Sequence, residues 1–320
     1  MARTNKEDFK MKRFKSFLGM FLCVALVMSM LIGCGSTQSE VKKPSSVDGG
    51  ATADNTNDNN KDDSKDEDTN KPAELSIEEQ VIYDANDIKV TATGIGKSMW
   101  GVEIKLVVEN NSDTDVTIQD KNANVNGFMV STTMSIDVAA GKKANDTLII
   151  DNSSIEACGL EQIATIEFRL YIFDSDSWDD IALSDVITIT TSQAEGYTQA
   201  YDDSGEVLVD YNGIKIVCKG LSEEDSWWGP GVILYVENNS NKDITIQVRD
   251  ASINGFMMDP TISEDVIIGK KSICDISFFA SELEDNGITS IEDIEFYFHI
   301  FDLETWDDVF DSDIITLHFN

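Results

Sequence analysis

The fold is decided by the stretch Gly101-Val102-Glu103-Ile104-Lys105-Leu106-Val107-Val108-Glu109-Asn110. Apolar residues occupy every second position in it: Val102, Ile104, Leu106 and Val108. A period of two places these residues on one face of an extended strand, whereas a helix needs a period near 3.6. Three of the four are β-branched, which favours a half-buried strand. The polar residues that follow, Asn111-Ser112-Asp113, predict a turn.

The same pattern returns later in the chain, so the sequence contains an internal repeat. Trp100-Gly101 corresponds to Trp228-Gly229, an offset of 228 − 100 = 128 residues. Further matched segments are Val108–Ser112 with Val236–Ser240, Asn126–Met129 with Asn254–Met257, Gly141–Lys143 with Gly269–Lys271, and Trp178–Asp180 with Trp306–Asp308. A period this long indicates two tandem domains rather than a solenoid of small units.

Each copy reads as a set of short strands. Ile166, Phe168, Leu170 and Ile172 alternate with polar residues, and Asn126-Gly127 between apolar residues predicts a type I′ hairpin turn. Strands at this spacing predict an all-β fold, with one antiparallel β-sandwich in residues 79–191 and a second in 206–320. One helical turn is expected in each copy, started by a Ser153 or Ser281 cap and ended by Gly159 or Gly287.

The N-terminal residues have the features of an export signal, which we place at residues 1–33. The basic residues Lys12, Arg13 and Lys15 precede an apolar run from Phe17 to Leu31, which stops at small residues. The run is short for a membrane-spanning helix, which needs about 20 apolar residues. Translation could start at Met1 or at Met11, since Met11-Lys12-Arg13 also has the form of a signal opening.

Residues 34–76 are predicted to be a disordered acidic linker. Asp, Asn, Lys, Ser, Thr and Glu dominate the segment, which therefore cannot bury enough apolar surface to offset its ordering entropy. The whole chain of 320 residues has a formal net charge of −35. This charge argues against nucleic-acid binding, which needs basic patches, and favours a soluble monomer.

The residues Leu31-Ile32-Gly33-Cys34 resemble the lipobox of bacterial lipoproteins. This resemblance implies that Cys34 becomes the first mature residue and carries a thioether-linked diacylglycerol, with palmitate as a typical acyl group. It implies attachment to the outer face of the cell membrane, most naturally in a Gram-positive envelope. Two acyl chains would be enough for stable anchoring.

Both copies also resemble the telokin-like, immunoglobulin-like extracellular domains of bacterial secreted lipoproteins. The resemblance is carried by the lipobox, the acidic linker, the strand that ends in Glu109-Asn110-Asn111-Ser112, and the Gly141-Lys142-Lys143 lead-in to a later strand. It implies two tandem immunoglobulin-like sandwiches and offers no active site to transfer. The Cys…Trp…Cys pattern of antibody domains is missing from both copies.

Three tryptophans are candidate ligand-binding residues: Trp100, Trp227 and Trp228. An aromatic ring on a loop can stack against a sugar or anchor a protein partner. Packing at the end of the core is the alternative for Trp100 and Trp228, whereas Trp227 is the stronger candidate for exposure. Trp178 and Trp306 follow core strands and are expected to cap the two cores.

Two acidic loops offer oxygen ligands of the kind that calcium prefers. The residues concerned are Asp174, Asp176, Asp179 and Asp180 in copy one, and Asp302, Glu304, Asp307 and Asp308 in copy two. The loops lack the glycine and the terminal glutamate of an EF-hand, so solvated turns are the alternative reading. No other cofactor is expected.

Of the 5 cysteines, Cys158, Cys218 and Cys274 remain once Cys23 leaves with the signal and Cys34 takes the lipid. Cys218 and Cys274 could pair inside copy two, or both could stay free as small apolar residues. No Ser-His-Asp or Cys-His arrangement and no phosphate-binding loop is recognisable, so no enzyme is predicted. We expect a non-enzymatic binding or adhesion module; the alternatives are a spacer without a ligand and a glycan- or calcium-binding accessory domain.

Overall fold

The computed structural model describes residues 74–222 and 230–319. The described chain is built of antiparallel strands with two short helices, which confirms the all-β prediction. In these residues, no helix has the length and apolar character needed to cross a membrane. The signal, the linker up to residue 73, the lipidation candidate Cys34 and the tryptophans Trp227 and Trp228 lie outside the described residues.

Copy one forms two sheets. Its elements are β1 (Gln80–Ala85), β2 (Ile88–Lys97), β3 (Gly101–Asn110), β4 (Val116–Val125), β5 (Phe128–Met129), β6 (Thr132–Thr133), β7 (Ser135–Val138), β8 (Lys142–Asp151), α1 (Asn152–Ala157), β9 (Thr165–Asp174), β10 (Asp180–Leu183) and β11 (Ile187–Thr190). The first sheet has the order β1-β2-β3-β8-β6, and the second contains β10-β9-β4-β5 with β11 on β9 and β7 on β4.

Copy two repeats this arrangement. Its elements are β12 (Glu206–Tyr211), β13 (Ile214–Ser222), β14 (Gly231–Asn238), β15 (Ile244–Ile253), β16 (Phe256–Met257), β17 (Glu264–Val266), β18 (Lys270–Ser277), α2 (Ala280–Asp285), β19 (Asp293–Asp302), β20 (Asp308–Asp311) and β21 (Ile315–His318). Its first sheet is β12-β13-β14-β18, and its second is β16-β15-β19-β20 with β17 on β15 and β21 on β19.

The apolar core of each copy lies between its two sheets, as the alternation in sequence requires. In copy one, Val102, Ile104, Leu106 and Val108 of β3 are at most 2% exposed, and they share one cluster with Phe168 and Leu170 of β9. Ile294, Phe296 and Phe298 of β19 occupy the equivalent positions in copy two. The buried faces are those that the two-residue period predicts.

Two turn motifs are repeated in both copies. Asn126 and Gly127 both have positive φ, 52° and 87°, as the predicted type I′ hairpin between β4 and β5 requires. At the end of β3, buried Asn110 donates from Nδ2 to the carbonyl oxygens of Thr114 and Val138 and accepts the backbone N–H of Ser112 through Oδ1. Asn238 makes the same bonds in copy two.

The predicted serine caps of the short helices are wrong. Helix α1 follows Asp151 and α2 follows Phe279, and neither of these N-cap positions makes a side-chain capping hydrogen bond. Ser154 instead accepts the backbone N–H of Ser131 on a neighbouring segment. Gly159 and Gly287 do end the helices, with φ of 60° and 68°, because glycine tolerates the left-handed conformation.

The two copies are joined by backbone pairing as well as by the linker between them. Strand β5 of copy one pairs in parallel with β18 of copy two, and the N–H of Lys271 donates to the carbonyl oxygen of Gly127 at 2.9 Å. The second sheet of copy one and the first sheet of copy two thereby form one ten-stranded sheet. We call this contact region the junction.

Candidate functional site

The loop between β9 and β10 is organised by the carboxylate of Asp174. Its Oδ1 accepts the backbone N–H groups of Asp176 at 2.9 Å and of Ser177 at 2.8 Å. These bonds stabilise the ionised form and hold the pKa of Asp174 below its ordinary value. The N–H of Trp178 donates to the carbonyl oxygen of Asp174, so the loop closes on itself and presents the indole ring.

Copy two builds the same loop between β19 and β20. Oδ1 of Asp302 accepts the N–H groups of Glu304 and Thr305, both at 3.0 Å, and the N–H of Trp306 donates to the carbonyl oxygen of Asp302. The bond from Thr305, followed by that from Lys242, lowers the pKa of Asp302 to about 2. The geometry has therefore been kept in both copies although Ser177 is replaced by Thr305.

Each loop presents a tryptophan that stacks on a phenylalanine and is more than half exposed. The ring of Trp178 stacks on Phe173 with centroids 5.4 Å apart, and Trp306 stacks on Phe301 at the same distance. Trp178 is nevertheless 58% exposed and Trp306 is 71% exposed. The two rings therefore cover aromatic neighbours on the outer face, which differs from the expected capping of the cores.

The backbone at both tryptophans is strained. Trp178 has φ of 63° and Trp306 has φ of 64°. The left-handed region is costly for a bulky side chain, by about 1–2 kcal/mol. Because such strain persists only where the surroundings impose it, the loops hold each ring in one defined orientation at the protein surface. We call the segments 174–180 and 302–308 the tryptophan loops.

The carboxylates of the tryptophan loops are spread over separate partners. Asp179 accepts a bond from Ser177, and Asp180 accepts one from the hydroxyl of Tyr171. In residues 74–222 and 230–319, no group of three or more His, Cys, Asp or Glu side chains is placed so that it could hold a metal ion. Oδ1 of Asp174 and Oδ1 of Asp302 accept backbone N–H groups, as in an acidic turn, and calcium binding by these loops stays a prediction.

Trp100 lies in the loop between β2 and β3 and is 52% exposed, next to Met99, which is 80% exposed. The packing expected for Trp100 is therefore incomplete. The carbonyl oxygen of Trp100 accepts the N–H of Asn152, which ties the loop to the start of α1. This loop adjoins the Gly101 end of β3. The tryptophan loop of copy one lies near the opposite end of β3, because the N–H of Ser175 donates to the carbonyl oxygen of Asp115, which follows Thr114, a hydrogen-bond partner of Asn110.

The junction buries three large apolar side chains on the outer face of the first sheet of copy two. The same face of copy one has smaller or polar side chains at these positions. Val217 and Tyr235 are fully buried in one cluster with the core of copy one, and Ile273 packs against that cluster. Their counterparts in copy one are Thr91, Val107 and Asn145. A comparison of the two sequences at these positions would therefore have indicated the junction. The apolar pattern of copy two alone does not indicate it.

A polar groove of about 300 Å³ runs along the junction. Glu264 lines it from copy two and Asp120 from copy one, and burial raises the pKa of both, that of Glu264 to about 7. Burial also raises the pKa of Asp265. The hydroxyl of Ser272 donates to Glu264, so the buried carboxyl has a partner in either protonation state.

The cysteines in the described part of the chain are all free thiols, so Cys218 and Cys274 are unpaired. Burial raises the pKa of Cys158 to about 11 and that of Cys274 well above its ordinary value. Since the thiolate is the reactive form, these raised pKa values disfavour reaction of Cys158 and Cys274 in the folded protein.

In comparisons with known proteins, no protein-family model matches the chain and no curated protein matches it. The geometry of the tryptophan loops and of the junction therefore carries the functional argument.

Proposed function

We propose that this protein is an exported, lipid-anchored surface protein that binds a ligand without catalysis, and that the tryptophan loops are its contact surface. The observation that carries the proposal is the pair of exposed tryptophans, each held at positive φ and stacked on a buried phenylalanine in both copies. Large exposed aromatic rings on rigid loops are typical anchors of binding surfaces. The export signal and Cys34 supply the location.

The exposed indole rings and carboxylates of the tryptophan loops suit a ligand that offers both a flat face for stacking and polar groups for hydrogen bonds. Trp178 is 58% and Trp306 71% exposed, and carboxylates such as Asp179 and Asp307 lie next to them in the chain. A pyranose ring meets these demands through its C–H face and hydroxyl groups, and so does a protein surface with a protruding apolar side chain. Because the site is present twice, a repetitive ligand would gain avidity from both copies.

A binding experiment with tryptophan variants tests this proposal. The single variants Trp178→Ala and Trp306→Ala and the double variant are compared with wild type for retention on purified cell-wall polysaccharide and on a glycan array. Loss of a stacked aromatic contact weakens binding by about 1–3 kcal/mol, which is about 5-fold to 150-fold, and the double variant loses more than either single variant. Trp100→Ala is the matched control, because its ring is similarly exposed on another loop.

The outcomes separate the alternatives. If the double variant binds as well as wild type while Trp100→Ala loses binding, the contact surface lies at the β2–β3 loop instead. If no variant changes retention on any surface, the tryptophan loops are not a binding site. Lipidation is tested separately by mass spectrometry of the mature chain, where a diacylglyceryl group at Cys34 is expected and is lost in Cys34→Ser.

The second candidate function is that of a spacer without a ligand of its own. The junction favours it, because a continuous sheet across both copies restricts hinge motion between them. A spacer predicts unchanged behaviour of the tryptophan variants but altered reach when the junction is weakened. Substituting Phe128 by Ser, which removes a buried ring at the contact, distinguishes the two functions in a surface-display assay.

A further inference from the structure

At the junction, the β4–β5 hairpin of copy one binds strand β18 of copy two. Phe128 lies opposite Lys271 in the parallel pairing and is 2% exposed, and Met129 packs against the core cluster of copy two. Beside the hairpin, Glu167 forms an ion pair with Lys270. The binding unit on copy one is therefore an Asn-Gly-Phe-Met hairpin flanked by an acidic side chain.

Copy two carries the same unit, but there it is exposed. Its hairpin is Asn254-Gly255-Phe256-Met257, in which Phe256 is 46% exposed and Met257 is 68% exposed. Glu295, the counterpart of Glu167, is also exposed. Ser252 pairs with both Met257 and Glu295, so the apolar and acidic parts of the unit are neighbours in the sheet. We call this surface the head.

Copy one carries the counterpart of the sheet face that the hairpin binds. Gly141-Lys142-Lys143 at the start of β8 corresponds to Gly269-Lys270-Lys271, and Lys142 and Lys143 are exposed. Lys143 is held by Glu109 at 2.6 Å, as Lys271 is held by Glu237. Among the described residues β6 pairs only with Ile149 and Ile150 of β8, so the edge from Lys142 onward is open. We call this surface the tail.

Head and tail differ from the junction in a complementary way. On the head, Asp259 and Glu282 stand where copy one has Ser131 and Ser154. The N–H of Asp259 donates to the carboxylate of Glu282, which places both acidic groups together beside the hairpin.

On the tail, Lys105 stands where copy two has Ile233 and Val107 where it has Tyr235. The head has therefore gained two carboxylates, and the tail has gained the cation Lys105, in a chain whose net charge is strongly negative.

We propose that the head of one molecule binds the tail of a second copy of this chain, with Glu295 opposite Lys142 and Phe256 beside Lys143. The contact repeats the junction between molecules. It buries less apolar surface than the junction, because Thr91, Val107 and Asn145 replace the larger side chains of copy two. The association is therefore weak and depends on charge. Because the head and the tail are different surfaces, each molecule keeps one of each free after pairing, so the contact extends to further copies as a ring or a linear array.

Zero-length cross-linking between lysine and carboxylate tests the proposal directly. Full-length protein labelled with ¹⁵N and unlabelled protein are mixed in a non-ionic detergent, treated with a carbodiimide and digested. Mixed-isotope peptides that join Glu295 to Lys142 are expected. The pair Glu167–Lys270 is the internal control, because it cross-links within one molecule and keeps a single isotope composition.

Charge exchange supplies the decisive variants. In Glu295→Lys and in Lys142→Glu, each alone, no mixed-isotope peptide that joins positions 295 and 142 is expected, because two like charges meet and the pair lacks either the carboxylate or the amine that the carbodiimide joins. Mixing the two variants restores the yield, because Lys at 295 then meets Glu at 142. High salt, about 1 M, lowers the wild-type yield, since it screens exposed charges over a few ångströms.

The control peptide shows in the same sample whether each variant is folded. If the mixture of the two variants gives no more cross-links than each variant alone while the Glu167–Lys270 peptide persists, the proposal is wrong. A wild-type mixture that yields only single-isotope peptides also overturns it, and would support the monomer expected from the net charge. Neither result bears on the tryptophan loops, which lie outside both surfaces.

Discussion

Replacing Glu264 by Gln should stabilise the protein at alkaline pH and leave its stability nearly unchanged in acid. Glu264 lines the groove at the junction, and its counterpart in copy one is the buried Ile136. Burial raises the pKa of the Glu264 carboxyl from 4.5 to about 7, and the nearby Asp265 and Asp275 act in the same direction. The folded protein therefore holds this proton more tightly than the unfolded chain does.

The magnitude follows from linkage between protonation and folding. When the pKa of a carboxyl is higher in the folded state than in the unfolded chain, the carboxyl makes its full contribution to stability at pH values below the pKa of the unfolded chain. This contribution is lost between pH 4.5 and about 7 and is constant above that range. At about 1.4 kcal/mol for each pH unit, ionised Glu264 costs the folded state up to about 3 kcal/mol at pH 8. Gln removes this cost and still accepts a bond from Ser272.

Urea denaturation of wild type and Glu264→Gln at a series of pH values from 4 to 8.5 measures the effect. The difference in free energy of unfolding should be small near pH 4, grow between pH 4.5 and 7, and then stay level. Glu292→Gln, at an exposed position, is the matched control and should show no such growth. A difference that is the same at pH 5 and at pH 8 would refute the assignment of Glu264 as a buried acid.

Three further changes test the packing. Tyr235→Ala should lower the free energy of unfolding by about 3–5 kcal/mol, as for a buried aromatic ring, whereas Val107→Ala at the equivalent half-buried position should cost much less. Asn110→Ala leaves two carbonyl oxygens without their donor and should cost about 2–4 kcal/mol, measured by thermal and urea unfolding. Gly101→Ala should be strongly destabilising, because an added Cβ would lie 1.9 Å from a backbone oxygen, whereas Gly96→Ala, which meets nothing within 4 Å, should be tolerated.

Local sequence patterns were sufficient for the strands and their buried faces. The alternation in β3 and β9 predicts which side chains enter the core, since the two-residue period leaves one register in which all of them are buried. The hairpin at Asn126-Gly127 was predictable for a similar reason, because few residues tolerate two successive positive φ angles.

The tryptophan loops and the junction needed information that a local pattern does not contain. Nothing in the alternation of β9 indicates that Trp178 turns back over Phe173, because that contact depends on a left-handed backbone at the tryptophan itself. Tyr235 lies within the apolar run 232–236, which reads equally well as a strand buried on both faces. Only the contrast with Val107 reveals that its outer face meets another domain.

The one-sided apolar surface at the junction has a consequence for biosynthesis. Copy one emerges first during synthesis, so its hairpin precedes the strands of copy two that it contacts. Copy two without its predecessor would expose Val217, Tyr235 and Ile273 on the outer face of its sheet, and such an apolar surface is prone to aggregation. The two domains therefore cannot exchange places in the chain, because the second domain needs the first to cover its apolar sheet face as it folds.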